Sequence, residues 1–253
     1  MTKRDTDKDW ARIAERDPFW GVLSQERYHK DKMSKARVAE FMATGEKFVA
    51  DILGLVRHHL DPEIRLRRVL DFGCGVGRLL IPFARYSEQA VGVDVAPKML
   101  ELCRGNAKLA GVTNIRLVLG DDELKGAQGE FDFVNAFIVL QHIPPERGMR
   151  LVRRLIERVR IGGVASLQVT YAKARGLMQH EVPAAQFYRR DGATMTDLVE
   201  SDSTPPEGTI QMYDYDLNHF FALVSRYSGH PVIVLPTGDD GHLGVHCIFA
   251  RAR

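Results

Sequence analysis

Four places in this 253-residue chain combine residue type and spacing in a way that could do chemistry. The first is Asp71-Phe72-Gly73-Cys74-Gly75-Val76-Gly77-Arg78, which ends the apolar run Val69, Leu70, Phe72. The second is Asp94, at the end of Ala90 to Val93, and the third is Asp121-Asp122, just after Leu117-Val118-Leu119. The fourth is Gln141-His142, which follows the apolar alternation begun at Phe131. Short apolar runs bounded by glycine or charge read as buried strands. A glycine-rich turn after a strand lets a ligand approach bare backbone, and the amides opening the next helix add donors and a positive dipole end. Carboxylates at neighbouring strand ends accept hydrogen bonds from hydroxyl and amino groups. Histidine is the side chain best suited to taking a proton near neutral pH.

The glycine spacing decides between ligands. A dinucleotide fingerprint places glycine at the first, third and sixth positions of the loop. Here those positions hold Gly73, Gly75 and Arg78, and the third glycine comes one residue early, at Gly77. The resulting pattern, Asp-x-Gly-x-Gly-x-Gly, resembles the first motif of the class I S-adenosylmethionine-dependent methyltransferases. In that family the loop passes the amino-acid end of the cofactor and carries no pyrophosphate.

The resemblance covers residues 66 to 171 and, more weakly, the carboxyl-terminal segment. It implies S-adenosylmethionine as cofactor and assigns roles to the four stretches. Asp71 would lie near the methionine amino group, beside Gly73, Cys74, Gly75, Gly77 and Arg78. Asp94 would bind the ribose hydroxyls, with its capping of the helix that begins at Pro97 as the plainer alternative. Asp121, or Asp122 in its place, would accept the adenine amino group, with a surface turn as the alternative. Val95, Met99, Phe137 and Gln141 complete the expected cofactor-binding set. His142 is the candidate general base, with His180 second and Tyr171, Tyr188 and Arg189 as further pocket candidates. The acceptor would be a small molecule, with oxygen slightly favoured over nitrogen. Asn135 to Ile138 lacks the Asn/Asp-Pro-Pro-aromatic box expected of enzymes that methylate nucleic-acid bases or glutamine amides.

The elements that must position these residues follow from periodicity. Strands are expected at 68–72, 90–94, 115–119, 131–139 and 163–171, and helices at 77–86, 97–110 and 145–160. Such alternation predicts a parallel sheet covered by helices on both faces, with strand carboxyl ends along one edge. The full expectation is a doubly wound Rossmann-like α/β fold with seven strands, mostly parallel, closed by a carboxyl-terminal antiparallel hairpin. A helix from Asp214 to about Tyr227 and strands near 231–235 and 244–250, joined by the turn-rich Pro236 to Gly241, supply that hairpin. Residues 1–66 read as a helical extension. Trp10, Ile13 and Ala14 begin one pattern, Pro18 breaks it, and Phe41, Phe48, Ile52, Leu55 and Val56 form another. Trp10, Phe19 and Trp20 suit interhelix packing, while the family resemblance suggests a lid over the acceptor pocket. Residues 67–253 form the main domain, interrupted at 172–209 by a segment read as an insertion.

Composition bounds the rest. Net charge is +2, from 35 Lys and Arg against 33 Asp and Glu, which supplies no large field for polyanions. Arg147, Arg150, Arg154 and Arg158 line one helix face and read as a solvated stripe balanced by Glu146 and Glu157, with phosphate binding as the alternative. His242 and His246, four apart, have the spacing that metal sites use on helices, but their surroundings read as turn and strand, and no metal is expected. Three widely spaced cysteines fit reduced core thiols. With no membrane-spanning run and a charged amino terminus, the expectation is a cytoplasmic protein with no membrane or nucleic-acid partner, its oligomeric state open. A nicotinamide-dependent oxidoreductase and a non-catalytic cofactor-binding module are the competing functions.

Overall fold

The computed structural model describes residues 5–173, 186–191, 194–199, 210, 212–239 and 241–253. Five strands are mutually parallel: β1 (Leu66–Phe72), β2 (Ser87–Asp94), β3 (Ile115–Leu119), β4 (Phe131–Ala136) and β5 (Val159–Lys173). A separate hairpin, β6 (Gln186–Asp191) with β7 (Thr194–Val199), falls within the expected insertion. The chain then closes with β8 (Ser228–Asp239) and β9 (His242–Arg251), β9 running antiparallel to both β5 and β8. The main sheet has seven strands in the order β3-β2-β1-β4-β5-β9-β8. Strand order reverses between β1 and β4, and in such sheets ligands sit at the carboxyl ends beside that switch.

Each strand alternates its side chains between two helical layers. Leu70, Phe72, Val134 and Ala136 pack under α6 (Pro145–Arg158) and α7 (Leu217–Tyr227) through Leu151, Leu155, Phe220 and Val224. On the other face, Val69, Phe133, Val164 and Ile248 pack against α3 (Lys35–His59) and α4 (Leu80–Arg85) through Val49, Leu53 and Phe83. α5 (Pro97–Leu109) begins with the expected proline and buries Leu100 and Cys103 against Leu80 and Ala90. Ahead of the sheet, α1 (Thr6–Arg16) is capped by Asp5, and α2 (Pro18–Val22) starts at the proline that ends it. α3 approaches the glycine loop so closely that a Cβ on Gly45 would stand 1.9 Å from the Arg78 carbonyl oxygen. No described helix is long and apolar enough to cross a membrane.

Several element boundaries differ from expectation, and four of the shifts have a clear local cause. The helix expected at 77–86 begins only at Leu80, because Gly75 and Gly77 hold φ +51° and +92°, outside the helical region. β4 stops at Ala136 because Ile138 takes φ +59°, turning Phe137 to Val139 into a loop. The last helix starts at Leu217 because Asp216 caps it, its side chain accepting from the Asn218 amide at 2.9 Å. The closing hairpin is longer than expected. Pro236, Thr237 and Gly238 pair with Val245, Gly244 and Leu243, so they are strand, and Pro236 is tolerated because β8 is an edge.

Candidate active site

The strand ends surround one cleft of about 930 Å³ of empty space, its open mouth included. Of the residues singled out from sequence, Asp71, Gly73, Cys74, Arg78, Asp94, Val95, Met99, Asp121, Asp122, Phe137 and His142 line it. Three do not. Gly75 serves the cleft indirectly, its amide donating to Asp94 Oδ2 at 2.9 Å. Gly77 lies behind the loop, where a Cβ would stand 2.8 Å from Cys103 Sγ. Gln141 is buried and turned inward, its Oε1 accepting from Gln168 Nε2 at 3.2 Å. His180 lies outside the described residues, and for Tyr188 and Arg189 only the backbone pairing within the β6–β7 hairpin is described. Tyr171 is 40% exposed at the end of β5.

Two acids of the cleft are shielded from water, Asp71 buried and Asp94 half-buried. Desolvation, partly offset by the hydrogen bond from Asn135 and the charge of Arg78, raises the Asp71 carboxyl to about 7. Desolvation likewise raises Asp94 to about 6, against the backbone amides of Ala96, Gly75 and Val95. The capping alternative for Asp94 does not hold, because α5 has Ala96 as its N-cap with no side-chain cap; Asp94 Oδ1 instead accepts from Ala96 N at 2.9 Å just ahead of the helix. Asp121 closes a turn by accepting from Glu123 N at 2.8 Å, while Asp122 accepts from Arg147 Nε at 2.7 Å. Cys74 is no nucleophile: its hydrogen bond with Cys103 and its burial push the thiol well up. Five carboxylates (Asp7, Asp71, Asp94, Asp121, Asp122) face two guanidinium groups (Arg78, Arg147) here, so the cleft favours a cation.

Residues of the helical extension, among which the sequence pointed only to Trp10, also line the cleft. Thr6, Asp7 and Trp10 of α1, with Gly21 and Val22 of α2, form one wall. Arg147 donates to both Asp7 oxygens at 2.7 Å and to Asp122, tying α1 to α6 and to the loop after β3. The arginine stripe is therefore not simply solvated: Arg150 pairs with Glu146, Arg154 with Glu123, and Arg158 reaches the Leu124 carbonyl. An intramolecular partner for Arg147 left no trace in the sequence because Asp7 lies 140 residues away.

His142 ends a single 3-10 turn (Leu140–His142), is buried, and meets Trp10 edge-on at 4.9 Å between ring centroids. Its turn is clamped from the far side of the insertion. Tyr213 N donates to Gln141 O at 2.7 Å, and Tyr215 Oη donates between Leu140 O and Ile143 O at 2.7 and 2.9 Å. The strained Ile138 beside it is held by Gln168, whose Oε1 accepts from Ile138 N at 3.0 Å. Of the histidine pair in β9, His246 bonds Ser166 Oγ through Nε2 at 2.8 Å, and it is neutral, burial lowering its pKa to about 4.

A doubly wound sheet with a carboxylate-rich cleft at its switch point, entered by a glycine turn without the dinucleotide spacing, defines a domain built for a cationic nucleoside cofactor. Residues 69–163 match the family model described as a methyltransferase domain. A ubiquinone biosynthesis O-methyltransferase from Methylocella silvestris is 35% identical over 112 residues, covering 44% of this chain and 43% of the relative. Norajmaline N-methyltransferase from Rauvolfia serpentina is 25% identical over 159 residues, covering 60% and 53%. The matches thus span about half the length of these curated relatives. Among solved structures, magnesium protoporphyrin IX methyltransferase from Synechocystis PCC 6803, crystallised with S-adenosylhomocysteine, shares the fold. Its TM-score is 0.63 at 16% identity, covering 98% of this chain and 100% of that one. Residues 69–163 are thus similar to a methyltransferase domain, on a fold shared with a methyltransferase crystallised with S-adenosylhomocysteine.

Proposed function

We propose that this protein transfers a methyl group from S-adenosylmethionine to an oxygen of a small molecule. The observation that carries this is the convergence of Asp71, Asp94 and the Asp121-Asp122 pair, from three strand ends, on one cleft whose wall includes His142. The cofactor, when bound, supplies an electrophilic methyl on a cationic sulfonium. The cleft suits it on its own chemistry, because the Asp71 and Asp94 carboxyls, held above their ordinary range by desolvation, gain from any cation placed beside them.

In this reading Asp71 receives the methionine ammonium, Asp94 the ribose hydroxyls, and Asp121 or Asp122 the adenine amino group, with Val95 and Met99 against its apolar faces. Phe137, Ile138 and Trp10 exclude water from the space beside His142, which strengthens every polar contact there. One imidazole nitrogen of His142 accepts the hydroxyl proton as the acceptor oxygen becomes nucleophilic. The helical extension, residues 1–66, acts as a lid, and the insertion at 172–209 covers the acceptor. The described residues flanking that insertion meet beside the His142 turn, where Tyr215 N also donates to Thr170 O at 2.7 Å. Oxygen is favoured because the relatives named O-methyltransferases are 35% and 38% identical over their matches, against 25% for the N-methyltransferase. A small acceptor is favoured over nucleic acid because Arg147, Arg150 and Arg154 of α6 are engaged by carboxylates of this chain. A cytoplasmic location agrees with three buried free cysteines.

Calorimetric titration with S-adenosylhomocysteine, followed by transfer of labelled methyl to phenolic, hydroxylated and amine acceptors, tests the proposal. Binding in the micromolar range and label on a hydroxyl compound are expected. Label on amines alone would move the acceptor to nitrogen. Binding without transfer, even to cell extract, would favour the non-catalytic module, and stabilisation by NAD in place of S-adenosylhomocysteine would favour the oxidoreductase.

A further inference from the structure

The α3-facing side of the sheet changes character one step before the cleft. Val69, Phe133, Val164 and Ile248 form an apolar row across β1, β4, β5 and β9. Two residues nearer the carboxyl ends of the parallel strands, the same face holds Asp71, Asn135, Ser166 and His246, which are 3%, 0%, 0% and 2% exposed. Asp71 is in register with Asn135 and Asn135 with Ser166, while His246 lies diagonally, two residues from Ser166's partner Ile248. The row is sealed by Phe48 of α3, stacked on His246 at 5.8 Å, and by Phe137 at 5.1 Å.

The hydrogen bonds of this row run in one direction. Asn135 Nδ2 donates to Asp71 Oδ1 at 2.8 Å, and with Asp71 ionised the reverse amide orientation would set two oxygens face to face. Asn135 Oδ1 then accepts from Ser166 Oγ at 3.1 Å, which commits the only hydroxyl proton of that serine. Ser166 Oγ must therefore accept from His246 Nε2, 2.8 Å away, which fixes the Nε2–H tautomer. Every donor points toward Asp71, so the bonds polarise one another and converge on its carboxylate. A row of valine and isoleucine would bury as well without needing partners, so sheet stability does not account for these residue types.

We propose that His246, Ser166 and Asn135 are positioning residues that orient the Asp71 carboxylate and favour its ionised form toward the cationic amino group of the cofactor. The proposal rests on the cofactor reading above. The charged and titratable groups facing Asp71 are Arg78, which favours its anion, and Asp94, which opposes it, with the buried Cys74 thiol beside them. The relay supplies donors from the opposite side of the sheet.

The test is the pH dependence of two quantities in the full-length protein: the Asp71 carboxyl resonance, followed by 13C NMR without ligand and assigned with Asp71→Asn, and S-adenosylhomocysteine affinity between pH 6 and 8.5. Ser166→Ala should raise the Asp71 midpoint by about one unit and weaken affinity near pH 7 about fivefold, with recovery toward pH 8.5. Ser166→Thr, which keeps the hydroxyl, should behave as the wild type. If Ser166→Ala does not fold, His246→Gln, which keeps an N–H donor, against His246→Leu makes the same comparison. An unmoved Asp71 midpoint, or a loss of affinity that does not vary with pH, would overturn the relay. A wild type that shows the Asp71 titration but binds no cofactor would sink the cofactor reading instead, leaving the NMR comparison to decide the relay alone.

Discussion

Replacing Arg147 with glutamine should loosen α1 without unfolding the sheet. The guanidinium holds both oxygens of Asp7 and one of Asp122 at 2.7 Å, and its side chain is 19% exposed against 40% and 42% for the two acids. A fully exposed pair contributes about 0.2–1 kcal/mol, and a charge-assisted hydrogen bond about 1.5–3. With both acids more than a third exposed, screening brings the clasp down to about 1–2 kcal/mol, a factor of about 5–30 in the open population. Other attachments of α1, the buried Ile13 and Ala14 and the Trp10–His142 contact, do not involve Arg147. Hydrogen exchange should therefore speed up by about that factor in residues 6–16 while β4 amides keep their protection. Asp7→Asn should do the same, and the double variant should add little, because both changes break one interaction. Raising salt should open α1 in the wild type more than in Arg147→Gln. Unchanged exchange in residues 6–16 of Arg147→Gln, or an equal acceleration throughout the chain, would refute the clasp.

Gly77→Ala should cost about 2–4 kcal/mol in chemical denaturation and weaken cofactor binding, because φ is +92° and the new Cβ meets Cys103 Sγ at 2.8 Å. Asp132→Ala should destabilise by about 3–5 kcal/mol yet leave cofactor affinity of the folded protein unchanged. Asp132 sits at the amino end of β4, away from the cleft, accepting from Arg67 N, Arg68 N and Arg160 Nε at 2.9, 2.8 and 2.5 Å. Burial would raise its carboxyl, but Arg160 and the Arg68 amide outweigh that and hold it below the ordinary range. Asp71 has the opposite sign. Raised to about 7 from an ordinary value near ~3.9, it contributes stability that is present below pH ~4 and lost as pH rises to 7. Urea denaturation should show Asp71→Asn gaining on the wild type across that window and the difference levelling off above pH ~8. His246, depressed to about 4, is common to both proteins and cancels in the comparison.

Much of the donor half of the site is legible in the sequence because each part of it is local. The strand, glycine turn and helix around Asp71 occupy a dozen consecutive residues, and Asp94 and Asp121 each end an apolar run of their own. Register and right-handed crossovers then bring those ends together without further information. Boundaries were less legible where a single backbone angle decides them: Ile138 at φ +59° ends β4, and that angle is held by Gln168, 30 residues away. Asn135, Ser166 and His246 were each visible as a polar residue inside an apolar strand, at 131–136, 164–169 and 245–249. Their sequence separations of 64, 31 and 80 along the chain of hydrogen bonds hid that they form one row.

By itself, then, the amino-acid sequence determined the strand-and-helix alternation, the glycine turn that rejects a dinucleotide, and the carboxylates at three successive strand ends. These depend on periodicities and spacings that short segments already contain. Only the tertiary structure decided that Asp7 and Arg147 clasp α1 across the cleft, that Trp10 lies against His142, and that a polar row crosses four strands to reach Asp71. Such contacts join residues far apart in the chain, and their identity is set by which elements pack face to face once the sheet has formed.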